Sequence, residues 1–149
     1  SDVTTTVRPM STTDRQAWTD MRSKFWGRLS KAEHLSDIDW MLSDGQERSG
    51  FIAEKDSSAV GFAEVCIRDY ANGCTSQPVP FLEGIWVVSE YRKQGVGRML
   101  VGAVEQYVIG MGYKELCSDA NIDNLTSHDA HEGWGFAETE RVVYFRKPL

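Results

Sequence analysis

The chain has 149 residues, of which 41% are hydrophobic and 26% charged, with a formal net charge of −6 at pH 7. That length suits a single domain over residues 1–149 with a buried core, and the acidic balance disfavours nucleic acid while suiting a cationic ligand. No apolar run approaches the ~18 residues of a membrane span, and no signal-peptide pattern opens the chain. Cys66, Cys74 and Cys117 are odd in number and show no C-x-x-C spacing. They argue against a disulfide framework or a metal site and fit a reducing cytoplasm.

In chain order, Thr5 to Met10 reads as a short strand. Ser11 or Thr12 can cap a helix, with Asp14 in its first turn, and Ala17, Trp18, Met21 and Phe25 form its apolar face up to Trp26 and Gly27. A second helix runs from about Lys31 to Leu42, with Leu35, Ile38, Met41 and Leu42 inward. Its other face carries Glu33, Asp37 and Asp39, either a solvated surface or a rim that attracts cations. Gly50 to Lys55 and Ala59 to Asp69 read as a hairpin turning at Asp56-Ser57-Ser58. Tyr70 to Pro80 is a long polar loop.

Phe81 to Val88 is apolar and β-rich apart from Glu83. Ser89 to Gly97 is a basic, glycine-punctuated turn. From Arg98 onward Leu100, Val104, Val108 and Met111 recur at helical spacing, and Gly112 is placed to end that helix. Tyr113 to Ser118 reads as a strand, Asp123 or Asn124 to Trp134 as a short helix, and Phe136 to Arg146 as a last strand. The alternation predicts an α/β fold with a mixed sheet and helices on both faces.

A strand, a glycine turn and a helix in succession make a phosphate seat. The first amides of a helix lack intrahelical partners, and the helix dipole adds positive potential. Arg92, Lys93 and Arg98 add charge, and Gly95 and Gly97 let backbone approach a ligand. The spacing is neither GxxxxGK[ST] nor GxGxxG, since position 100 is Leu.

The pattern Arg92-x-x-Gly95-x-Gly97 resembles the acetyl-CoA pyrophosphate loop of the GNAT N-acetyltransferases. Asn124, Ser127, His131 and Gly135-Phe136 resemble that superfamily's second signature. Further stretches resemble the short, dimeric aminoglycoside 6'-N-acetyltransferases: 67–74, 78–85, Ser118-Asp119 and 138–144, with the Lys24-Phe25-Trp26 turn and Glu33-His34-Leu35. The resemblance implies the GNAT fold, splayed at its central strands where acetyl-CoA binds. It places the cofactor against the backbone of Ile85, Trp86 and Val87, on Arg92, Lys93, Gln94, Gly95, Val96, Gly97 and Arg98, and near Asn124, which equally suits a helix N-cap. Glu83 is then the proton acceptor, working directly or through water, and Glu83, Asp119 and Glu140 receive substrate ammonium groups. Trp26 and Tyr70 become walls for sugar rings.

Many GNAT enzymes carry Tyr where this chain has His131. Either His131 protonates the departing thiolate, or Tyr144 does, or coenzyme A leaves without a protein acid. The resemblance implies direct acetyl transfer to the 6'-amine of a cationic aminoglycoside, in a cytoplasmic homodimer with no membrane or nucleic-acid partner. The competing expectations are a GNAT enzyme for a polyamine or a protein N-terminus, and a non-enzymatic CoA-binding module.

Overall fold

The computed structural model describes residues 4–149. Two strands, β2 (Arg48–Lys55) and β3 (Ser58–Arg68), form the expected hairpin. Asp56 and Ser57 turn it at φ of 55° and 61°. Consecutive left-handed residues match the twist of the flanking strands. β1 (Thr6–Pro9) pairs with β2, and β4 (Val79–Val87) with β3, all antiparallel, in the order β1-β2-β3-β4.

Among the described residues, helices cover both faces of the sheet. α1 (Arg15–Phe25) and α2 (Lys31–Leu42) lie on one face, where Trp18, Met21, Ile38 and Met41 pack with Ile52 and Phe62. α3 (Val96–Gly110) lies on the other, setting Val96, Leu100, Val101, Val104 and Val108 against Phe51, Ala53, Val60, Ala63, Val65 and Leu82. α4 (Leu125–Gly133) follows. Helices on both faces explain why β3 is buried continuously from Val60 to Val65. Met111 lies past the end of α3 and is exposed, and Gly112 at φ 93° closes that end. No helix among the described residues is long and apolar enough to cross a membrane.

Arg8 ties β1 to the start of α1. Its two terminal nitrogens donate to Asp14 Oδ1 and Oδ2, each at 2.8 Å. The pair holds the Asp14 carboxyl below its ordinary range, with the Arg8 hydrogen bond the main cause. A lowered folded-state pKa stabilises the fold above the unfolded value, and that contribution disappears as pH falls through the folded value. Asp14→Asn is therefore expected to cost about 1–2 kcal/mol at neutral pH and progressively less as the pH is lowered below the ordinary carboxylate range, measured by urea melts along that series.

Two expected strands take a different form. Tyr113 to Ser118 contributes one parallel bridge, Phe81 to Cys117, closed by Leu82 N–H to Cys117 O at 2.8 Å and Cys117 N–H to Pro80 O at 3.0 Å. The mixed character of the sheet rests on that bridge alone. Phe136 to Arg146 has no strand partner among the described residues, and Val142, Val143, Tyr144 and Phe145 are exposed. A strand needs a partner for its backbone groups, and no strand among the described residues reaches this segment.

The cysteine expectation also changes. Cys74 and Cys117 are joined as a disulfide, with Cα atoms 6.4 Å apart, and Cys66 is free. The Tyr70–Pro80 loop folds back onto the Cys117 segment, where Ala71, Val79 and Phe81 make a small core. Glu115 reinforces this closure by accepting from the Thr75 amide at 3.1 Å and from the Thr75 and Ser76 hydroxyls.

Candidate active site

Strand β4 divides at Leu82. Around Phe81 it is paired on both sides, by β3 and by the Cys117 bridge. From Glu83 to Val87 its second edge has no strand partner among the described residues, so backbone groups of Ile85, Trp86 and Val87 line an open edge. This is the splay expected of the fold. An extended chain with amide groups can pair along such an edge.

The β3–β4 register slips here. Glu64 faces Gly84, and Val65 faces Leu82, which leaves Glu83 as the extra residue of a β-bulge. A bulge re-aims a side chain out of the strand's alternation. Glu83 meets Arg68 in a two-pronged pair, Oε2 with Nε and Oε1 with a terminal nitrogen, each at 2.7 Å. The Glu83 side chain keeps 12% exposure. The pair raises the Arg68 pKa, chiefly through the Glu83 hydrogen bond, and Asp119 adds a smaller push in the same direction. Arg68 is thus the partner of Glu83, and sequence reasoning missed it. Arg68 stands opposite Val79 in the register and not opposite Glu83, so no local pattern marks the pair.

The loop expected to seat a phosphate has the backbone of a helix N-terminus. Gly95 caps α3 at φ 85°, with open space where a Cβ would stand, and Lys93 is also left-handed at φ 60°. The first helical bond is Met99 N–H to Gly95 O at 3.1 Å, so the amides of Val96, Gly97 and Arg98 precede the ladder. They and the helix dipole suit a pyrophosphate. The Val96 side chain is buried, leaving only its backbone for a ligand.

Gly97 departs from its expected purpose. A Cβ there would come 2.9 Å from Trp134 Cζ2, so this glycine admits the indole that packs α3 against α4. The basic side chains have protein partners as well. Arg92 Nε donates to Val87 O at 2.9 Å, Arg98 donates to Gly133 O at 2.6 Å, and Gln94 donates to Glu90 O at 3.0 Å. Asn124 is the N-cap of α4, its Oδ1 accepting from the Ser127 amide at 3.1 Å.

His131, half-buried in α4, has defined partners on both ring nitrogens. Nδ1 lies 2.8 Å from Ser127 O, and Nε2 lies 2.7 Å from Ser118 Oγ. A carbonyl only accepts, so Nδ1 carries the proton, and neutral Nε2 accepts from Ser118. Ser118 is the second residue missed; it neighbours Asp119 and also reaches toward Leu82 O at 3.4 Å. The structure does not join Tyr144 to this group. It is 80% exposed on the unpaired C-terminal segment.

Of the residues expected to meet substrate, Trp26 lies over bare backbone at Gly84, where a Cβ would stand 2.6 Å from its Cη2. This brings the indole beside Glu83. Tyr70 is exposed, its hydroxyl 3.2 Å from Asn72 Oδ1, and Asp119 is exposed. Glu140 is exposed beside Thr139, whose side chain packs against Gly73 in the Tyr70–Pro80 loop. No hydrogen bond among the described residues ties Glu140 to Glu83 or Asp119. Cys66 is half-buried, and desolvation pushes its thiol up, with the nearby Glu83 charge adding to the effect. That disfavours a nucleophilic thiolate.

Residues 15–136 match the family model for the acetyltransferase (GNAT) family. Among curated relatives, an aminoglycoside N(6')-acetyltransferase type 1 of Klebsiella aerogenes is 43% identical over 146 residues, covering 96% of each chain. The chain belongs to the GNAT acetyltransferase family, in its aminoglycoside N(6')-acetyltransferase branch. A Salmonella enteritidis enzyme of the same description is 39% identical over 142 residues, covering 95% of this chain and 97% of its own. Among solved structures, aminoglycoside N-acetyltransferase AAC(6')-Iy in complex with CoA superposes with a TM-score of 0.94 at 37% identity, covering 100% and 98% of the two chains. AAC(6')-Iy with a bisubstrate analogue of CoA and acetylneamine gives 0.92 at 38% identity, covering 98% and 99%.

Proposed function

We propose that this acetyltransferase moves acetyl from acetyl-CoA to the 6'-amino group of aminoglycoside antibiotics by direct attack, and so confers resistance. The observation that carries the reading is a carboxylate, Glu83, bulged out of β4 at the point where the strand's second edge opens. That puts a proton acceptor at the junction of a thioester-binding edge and an acidic, aromatic-lined face. The relatives' names and complexes supply the substrate class and the regiochemistry.

The chemistry follows from the residues. Acetyl-CoA, as co-substrate, supplies the thioester. The free edge of Ile85 to Val87 aligns the pantetheine arm, and an amide there polarises the carbonyl. The amides of Val96 to Arg98 receive the pyrophosphate. Glu83 takes the proton of the attacking amine, directly or through one water. Asp119 and Glu140 attract further ammonium groups, and Trp26 and Tyr70 flank the sugar rings. Attack forms the C–N bond as the C–S bond breaks, and coenzyme A leaves as thiolate or thiol. His131 can protonate it when doubly protonated, passing the Nε2 proton through Ser118.

The deciding experiment uses two aminoglycosides that differ only in amino versus hydroxyl at the 6' position. Acetylation of the amino compound alone supports the assignment. Equal acetylation of both, or preference for spermidine over all aminoglycosides, rejects it. His131→Ala and Ser118→Ala are each expected to lower kcat by about ten- to a hundredfold, and Tyr144→Phe to leave it unchanged. Wild-type kcat in both of the first two removes the relay. Gly95→Val forces a β-branched residue to φ 85° and is expected to raise the KM for acetyl-CoA about tenfold. An unchanged KM in folded protein excludes this loop.

The working form is a homodimer in the cytoplasm. The supporting observation is the unpartnered segment Val142 to Phe145, an apolar strand sequence exposed in the single chain, which suits exchange with a second copy. Removal of residues 142–149 is expected to leave a monomer in sedimentation. A cytoplasmic setting matches the supply of acetyl-CoA.

A further inference from the structure

A buried polar cluster lies beneath Trp26, and none of its side chains has a role in the chemistry above. Its centre is Glu64, fully buried in β3 opposite Gly84 of β4. Glu64 Oε2 accepts from Trp18 Nε1 at 2.9 Å and Arg22 Nε at 2.7 Å. Its Oε1 accepts from Arg48 at 2.7 and 3.1 Å and from Arg22 at 3.3 Å. Arg22 continues to His34 Nδ1 at 3.0 Å and to Asp37 at 3.2 Å. The other His34 nitrogen lies 3.1 Å from the Trp26 carbonyl. A carbonyl only accepts, so Nε2 holds the proton and Nδ1 accepts from Arg22.

Both guanidiniums sit against the Trp26 indole, Arg22 at 4.8 Å and Arg48 at 5.7 Å from the ring centroid. Guanidinium planes hold an aromatic well, but here they also set two positive charges under a surface meant for a polycation. Glu64 and Asp37 cancel them. Of the two, Glu64 bonds both arginines and is fully buried, whereas the Asp37 side chain is 51% exposed.

We propose that Glu64 is a positioning residue for aminoglycoside recognition. It fixes Arg22 and Arg48 against the back of Trp26, and it neutralises them so that ammonium groups can approach the indole. This rests on the reading of Trp26 as a substrate wall. The effect belongs to the substrate half of the site, because the acetyl-CoA edge and the α3 amides have no part in the cluster.

The test is a charge cycle read by steady-state kinetics. Glu64→Gln keeps the shape and leaves one positive charge uncancelled. The KM for an amino-rich aminoglycoside is expected to rise about tenfold, less for one with fewer amino groups, with the gap narrowing at ~0.5 M salt. The KM for acetyl-CoA is expected to stay within about twofold. Arg48→Met combined with Glu64→Gln restores neutrality and is expected to recover most of the lost affinity. Arg48→Met alone is expected not to raise the aminoglycoside KM. A general packing defect has no reason to track ligand charge, salt or charge restoration.

An unchanged aminoglycoside KM in folded Glu64→Gln, an equal rise for acetyl-CoA, or a double variant no better than the single overturns the proposal. If Glu64→Gln does not fold, the other two variants decide. A raised aminoglycoside KM in either then overturns it, and near-wild-type values in both support it. Trp26→Ala separates this inference from the reading beneath it. An unchanged aminoglycoside KM there removes the wall itself, whereas a raised KM with Glu64→Gln unaffected removes only the role of Glu64.

Discussion

Glu83→Gln is expected to lower kcat/KM for an aminoglycoside by about 10²- to 10⁴-fold, the usual range for loss of a positioned proton acceptor. The amide fills the same bulge but cannot take a proton. Most of the loss should fall on kcat, because a group acting in the transition state leaves ground-state binding largely intact. The KM for acetyl-CoA should hold, since that ligand meets the backbone from Ile85 onward and the α3 amides. The substitution also leaves Arg68 without its anionic partner, so Arg68→Met is the control. If the loss arises from a disordered Arg68, the control reproduces it. If it arises from the missing base, the control stays far more active. Wild-type kcat/KM in folded Glu83→Gln would sink the base assignment.

Trp18→Ala is expected to produce the largest loss of stability. Trp18 has no exposed surface, and it packs so closely on β2 that a Cβ at Gly50 would come 2.7 Å from its Cη2. Truncating a buried indole costs about 3–5 kcal/mol. At ~2–4 °C per kcal/mol for a chain of this size, Tm should fall by roughly 10–15 °C. Part of the loss is polar, because the indole N–H donates to buried Glu64 at 2.9 Å. Trp18→Phe isolates that part and should cost about 1–3 kcal/mol. A Tm within ~3 °C of wild type for Trp18→Ala would contradict the packing described.

The loop proposed to receive a pyrophosphate was legible in the chain, because its shape needs only local signals. Gly95 supplies a left-handed cap, and Leu100, Val104 and Val108 continue into one apolar helix face. The β2–β3 hairpin was legible in the same way from Asp56 and Ser57. Gly97 was misread because its contact, Trp134, lies far along the chain, and one glycine looks like another until something packs on it. Arg68 and Ser118 were missed for a related reason. Each matters through a partner, Glu83 or His131, and pairing across strands or between a loop and a helix leaves no periodic trace.

The amino-acid sequence by itself determined the order of the elements from β1 through α3, both GNAT signatures, and the apolar faces that sandwich the sheet. These follow from residue type and spacing along one chain. Tertiary structure alone decided that the register slips at Glu83 and that Glu64 buries its charge beneath Trp26 between two arginines. It also decided that Cys74 meets Cys117 and that Phe136 to Arg146 has no strand partner among the described residues. Each of these depends on which backbone lies alongside which, and strand register and long-range contact are set by the packing of the whole fold rather than by neighbours in the chain.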